Sequence, residues 1–136
     1  MKKIFVICMT MGIMSFASGY TQADRILDMQ KMAQAMQDIQ SGFFYNNLDI
    51  VTAGAQDLKS TIVNVGPTDA EKNNKDVYER WMNNHTAMTG RTQRRIKNYA
   101  DTLVERFKDG DATQALQIYN RITAECMKCH ISLRKW

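Results

Sequence analysis

The sequence predicts an all-α protein, specifically an antiparallel up-down-up-down four-helix bundle. Three observations predict it. A single proline, Pro67, occurs in 136 residues. No stretch of any length alternates apolar and polar residues with the period of two that a half-buried strand requires. Apolar residues recur instead at steps of three and four, the spacing that lines one face of a helix.

The first stripe, about 23 to 46, carries Met29, Met32, Met36, Ile39 and Phe43. The second, about 48 to 65, carries Leu48, Val51, Ala55, Leu58, Ile62 and Val65. Gly66-Pro67-Thr68-Asp69 then breaks the chain, and Asn73-Asn74 continues a polar loop. A third helix is expected from Lys72–Asp76 to Lys108, with Tyr78, Trp81, His85, Met88, Ile96, Tyr99, Leu103 and Phe107 inward. Gly90 within it would mark a kink or a close helix approach. Asp109-Gly110-Asp111 is a turn whose last residue suits an N-cap. The last helix, about 112 to 134, presents Ala115, Tyr119, Ile122, Cys126, Cys129 and Leu133. Short connections between such helices make neighbours antiparallel. The length suits one domain, and no internal repeat or low-complexity tract appears.

Met1-Lys2-Lys3, followed by the apolar run from Ile4 to Phe16, has the form of a secretory signal peptide. It is assigned to 1–19, with cleavage at a small residue between 17 and 23, and the domain to 20–136. The alternative is a retained anchor, but the run falls short of the roughly 20 residues that a span needs. The protein is therefore expected in the periplasm, with no stable membrane insertion after cleavage. The full chain is +4; losing Lys2 and Lys3 leaves 16 basic against 14 acidic residues, a net +2. This balance does not indicate nucleic acid. Arg91, Arg94, Arg95 and Lys97 cluster locally, either as a solvated helix face or as a dock for an acidic redox partner.

Removing the signal removes Cys8, so both remaining cysteines sit in Cys126-Met127-Lys128-Cys129-His130. A C-x-x-C-H run reads as an attachment site for c-type haem. Each thiol adds across one haem vinyl group, which demands two sulfurs at fixed separation, and the next residue places an imidazole at the iron. On a helix, Cys126, Cys129 and His130 share one side. Other readings of the pair fare worse. A disulfide closing so short a loop gains little. A zinc site wants four ligands, and His85 is the only other histidine. A thioredoxin-like motif needs a βαβ setting. One covalent haem c is the expected cofactor.

In an up-down-up-down bundle, His130 faces the first turns of helix 1, beside Ile62, Val65 and Trp81. Met29, Met32, Met36 and His85 are the candidates for the sixth ligand. At about 1.5 Å rise per residue, Met29 matches the depth of His130, while Met36 lies about 10 Å further in. His85 is also too deep. His130 and Met29 are thus the expected iron ligands, with Met32 as a second candidate. Met32, Ile62, Val65, Trp81 and Ile122 are expected to line the haem. Arg25, four before Met29 at an inward position, would meet an anionic haem propionate, and Arg134 could do the same or cover the proximal imidazole.

Cys126-x-x-Cys129-His130-x-x-Leu133-Arg134 resembles the C-x-x-C-H-x-x-Tyr/Phe-Arg ending of class II c-type cytochromes, the cytochrome c′ group. Leu133 departs from the aromatic residue usual there. Arg25-Ile-Leu-Asp-Met29 is similar to that family's first-helix pattern, an arginine near a propionate followed by the distal residue. The start Ala23-Asp24 also resembles the non-covalent b-type cytochrome of the same architecture. The resemblance covers the whole mature chain in layout, and its specific motifs cover the two ends. It implies an exported four-helix bundle with haem on the last helix. A methionine at the distal position implies a six-coordinate, low-spin electron carrier; an apolar residue there implies an open iron that binds NO or CO.

The expected function is electron transfer, not enzymatic catalysis. The alternative is a high-spin, gas-binding cytochrome c′ acting in NO binding or detoxification. A peroxidase-like activity lacks a distal His/Arg pair. Redox proteins are the expected partners, and Phe44, Tyr45 and the basic cluster could form a homodimer face.

Overall fold

The computed structural model describes residues 19–77 and 86–134, with the backbone alone at 86, 87, 133 and 134. Among them are five helices and no strand: α1 (Gln22–Tyr45), α2 (Leu48–Ile62), α3 (Asp69–Lys72), α4 (Thr86–Lys108) and α5 (Ala112–Arg134). The expected all-α class is what the chain adopts. Residues 1–18 of the leader expected at 1–19, and Tyr78, Trp81 and His85, lie outside the described residues.

The helix ends follow from local chemistry. Thr21 and Asp24 form a reciprocal capping box at the start of α1, the Asp24 carboxylate accepting the Thr21 backbone N–H at 2.8 Å. Asn46 ends α1 in the left-handed conformation, φ 49°, which asparagine tolerates. Asn47 then caps α2, its Oδ1 accepting the N–H groups of Asp49 and Ile50 at 2.9 and 3.1 Å. Two residues therefore suffice to reverse the chain. Gly110 takes φ 79°, a conformation glycine adopts without penalty, and Asp111 accepts the Gln114 N–H at 3.0 Å to start α5.

The long helices pack in sequence: α1 on α2, α2 on α4, and α4 on α5. The first seam is the tightest. A Cβ on Gly54 would lie 2.8 Å from the Ala35 carbonyl oxygen, and one on Gly42 would lie 2.8 Å from the Val51 nitrogen. Only glycine permits such an approach, and the pairings show α1 and α2 running in opposite directions. Lys59 pairs with Asp101, and Gln93 donates to the Val65 carbonyl at 2.7 Å, joining α2 to α4. Arg95 pairs with Glu125 at 2.9 Å across α4 and α5. Ile39, Val51, Leu58, Ile96, Leu103 and Ile122 make the fully buried core. In contrast, α1 and α5 do not approach closely along their backbones. They meet through side chains, the rings of Phe43 and Tyr119 and a long hydrogen bond, 3.4 Å, from the Tyr119 hydroxyl to the Met36 carbonyl.

Two expectations need correction. The chain between Pro67 and α4 is not all loop before a helix beginning at 72–76. Thr68 and Glu71 form a second capping box, which starts the single helical turn of α3. Asn73 ends that turn, and Asn74 accepts the Asp76 N–H at 3.0 Å, a local turn that competes with a helix. Gly90 is not a close approach either. Among the described residues, a Cβ there would meet only Arg94 Nη1, at 3.8 Å.

Candidate functional site

A cavity of about 290 Å³ lies in the open seam between α1 and α5. From α1, Met29, Met32, Ala33 and Met36 reach it; from α5, Tyr119, Thr123, Cys126, Cys129 and His130 do. Ile62 at the end of α2 and Val65 just beyond it, with Thr89, Thr92, Gln93 and Ile96 of α4, complete the wall. The helical period explains the convergence. Met29, Met32 and Met36 follow one another at three and four, and so do Tyr119, Thr123, Cys126 and His130. Five sulfurs and one imidazole therefore face one space.

The thiols are free, Cys129 buried and Cys126 partly so. Burial, helped by the neighbouring Cys129, pushes the Cys126 thiol up to about 11. Burial and then Glu125 raise Cys129 as well. Both are neutral thiols near pH 7, without the thiolate character that makes a redox-exchange cysteine reactive. Burial, followed by Cys126, also raises the Tyr119 hydroxyl. No group of three or more His, Cys, Asp or Glu side chains that could hold a metal ion occurs among the described residues.

The expected site residues separate into groups. Met29, Met32, Ile62, Val65, Cys126, Cys129 and His130 all line the cavity. Ile122 does not; it is fully buried in the core behind the wall. Arg25 does not line it either. Its guanidinium pairs with Glu71 at 2.6 Å, while its Nε is buried with no partner among the described residues. Trp81 and the Arg134 side chain lie outside the described residues. Met36, set aside on depth, shares the same cavity as Met29, because the space extends along two turns of α1 instead of ending at one level. Thr92 and Gln93 were not foreseen. The signal was the three-four spacing of Thr89, Thr92 and Ile96, masked by hydroxyls that read as surface.

A second cavity, about 910 Å³, adjoins the first at Thr89 and Gln93 and is bounded by residues 19–22, the 63–72 loop and Gly90. It is larger, but its charged groups Asp69, Glu71 and Lys72 are engaged with one another or with Arg25. The cysteines, the methionines and His130 line the smaller one. Among the described residues, no helix is long and apolar enough to cross a membrane. No protein-family model, curated protein or solved structure matches the chain.

Proposed function

We propose that this protein is an exported, periplasmic monohaem cytochrome of the class II (cytochrome c′) kind. Its four long helices would form an up-down-up-down bundle carrying haem c on the last. One observation supports this reading above others: Cys126, Cys129 and His130 share the cavity with Met29. Cys126 and Cys129 would hold the haem through thioethers, with His130 and Met29 as axial ligands. The donor set suits that group, two thiols and an imidazole from one helix facing thioethers from another, over an apolar floor of Ile62, Val65 and Ile96. The volume is at the small end of small-molecule sites. Loading therefore requires the flexible side chains of Met29, Met32 and Met36 to move aside. The open α1–α5 seam is where the chain can yield.

Haem c supplies a reversible one-electron Fe(III)/Fe(II) couple when attached. The thioether of Met29 favours the ferrous state and raises the potential, and the apolar wall acts in the same direction. Arg25 Nε, which has no partner among the described residues, would offer a donor to an anionic propionate. Exposed Arg91, Arg94 and Lys97 leave a cationic face on α4 for an acidic redox partner, whereas Arg95 is engaged by Glu125.

The test is expression with c-type maturation machinery. The purified protein should stay red after acid–acetone extraction and gain the mass of one haem. Its reduced spectrum should show a sharp, split α-band unchanged by CO. A colour that washes out removes the proposal. A broad high-spin spectrum that shifts with CO replaces electron transfer with the gas-binding function.

A further inference from the structure

The cavity wall is selective in its chemistry. Its soft donors are the sulfurs of Cys126, Cys129, Met29, Met32 and Met36, with the imidazole of His130 beside them. No carboxylate is among them; buried Asp28 takes a hydrogen bond from the Tyr20 hydroxyl, and Glu125 takes one from Arg95. Hard cations such as Mg²⁺, Ca²⁺ and Mn²⁺ favour carboxylate oxygens, and this wall offers only neutral ones, the hydroxyls of Thr89, Thr92, Tyr119 and Thr123 and the amide of Gln93. Zn²⁺ wants four ligands drawn from Cys, His and carboxylates, and no three such side chains come together among the described residues. A soft ion held by the two cysteines is therefore best completed by the thioethers that face them. Thiolate and thioether together select Cu(I).

We infer that the haem-free protein binds one Cu(I) ion in this cavity, held by Cys126 and Cys129 and completed by the methionines of α1. The cysteines, three apart on α5, present both sulfurs to the same side, and the methionine stripe of α1 faces them. An apolar floor of Ile62, Val65 and Ile96 underlies the sulfurs, and a wall with one imidazole and no carboxylate disfavours Cu(II), which prefers tetragonal nitrogen and oxygen sites. The inference uses the same wall as the cytochrome reading but does not depend on it. Copper and haem would compete for the same two sulfurs, so each occupant would exclude the other.

The experiment is an anaerobic titration of exported, haem-free, thiol-reduced protein with Cu(I) against the chromogenic competitor bicinchoninate. One Cu(I) per chain should be withdrawn from the competitor, and added Zn²⁺ should not displace it. Replacing Met29, Met32 and Met36 together by Leu conserves volume, and its effect on folding is checked by far-UV circular dichroism. That variant should bind Cu(I) at least about tenfold more weakly, and Cys126→Ser with Cys129→Ser should bind none. Failure to withdraw copper overturns the inference. So does a folded triple-leucine variant with native affinity, which would put the ion on the thiols alone, outside the cavity. Haem attachment is scored separately, by pyridine haemochrome absorbance of matured protein, so either idea can fail without the other.

Discussion

Arg25 and Glu71, forty-six positions apart in the chain, are ion-paired at 2.6 Å and tie the first turn of α1 to α3. Burial works to raise the Glu71 carboxyl, but hydrogen bonds from Arg25 and the Thr68 backbone outweigh it and hold it below its ordinary 4.5. A lowered folded value means stability that is present above pH 4.5 and is lost as pH falls through the folded value. Glu71→Gln should therefore cost up to about 1 kcal/mol near neutral pH, and the gap should close in acid. Denaturant melts at several pH values measure it. A gap that ignores pH would show that the charge is not its source.

Cys126 is lifted by burial from 9.0 to about 11. The haem-free protein should thus lose stability as pH rises from 9 through about 11, because the unfolded chain gives up this proton first. At about pH 8 its thiolate fraction is about a hundredfold smaller than in the unfolded chain. Iodoacetamide should label Cys126 slowly in native protein and quickly in denaturant, followed by peptide mass. Equal rates would place the thiol in solvent.

Two glycine substitutions should have opposite signs. Gly54→Ala forces a methyl to within 2.8 Å of the Ala35 carbonyl and 3.0 Å of the Ile39 nitrogen. It should destabilise by about 1–3 kcal/mol, the cost of overpacking. Gly90→Ala meets only the tip of Arg94 among the described residues. It should stabilise by about 0.5–1 kcal/mol through helix propensity. Thermal melts of both variants decide the matter.

In protein matured with haem, Met29→Ala should turn a low-spin spectrum that ignores CO into a high-spin one that responds to it. Met36→Ala should leave the low-spin bands in place, although Met36 shares the cavity. Reversal of the two outcomes would move the ligand one stripe position deeper.

The residue spacing made most of this legible. Ile39, Val51, Leu58, Ile96, Leu103 and Ile122 were marked as inward by period alone, and all are buried. The convergence of Met29 with Cys126, Cys129 and His130 followed from helix faces and short turns. Other features carry no periodic signal. Asp28 is buried on α1 because the Tyr20 hydroxyl and Lys31 satisfy its carboxylate, a partnership no stripe reveals. Gly42 and Gly54 set the α1–α2 distance, yet Gly90 looks the same in sequence and meets no backbone among the described residues. Arg25 was read by position, but its present anion is Glu71, supplied by a helical turn hidden in a polar loop.

The rings of Phe43, Phe107 and Tyr119 sit together, Phe43 lying 5.3 Å from Phe107 and 5.8 Å from Tyr119 between centroids. They pin the outer helices at one end of a seam whose other end holds His130. Such an arrangement is a pair of tweezers with its pivot at the aromatic trio. Widening costs little at the tips and much at the hinge, so a bulky guest would enter from the His130 end. Amide hydrogen exchange along the last helix should accordingly quicken from Tyr119 towards His130.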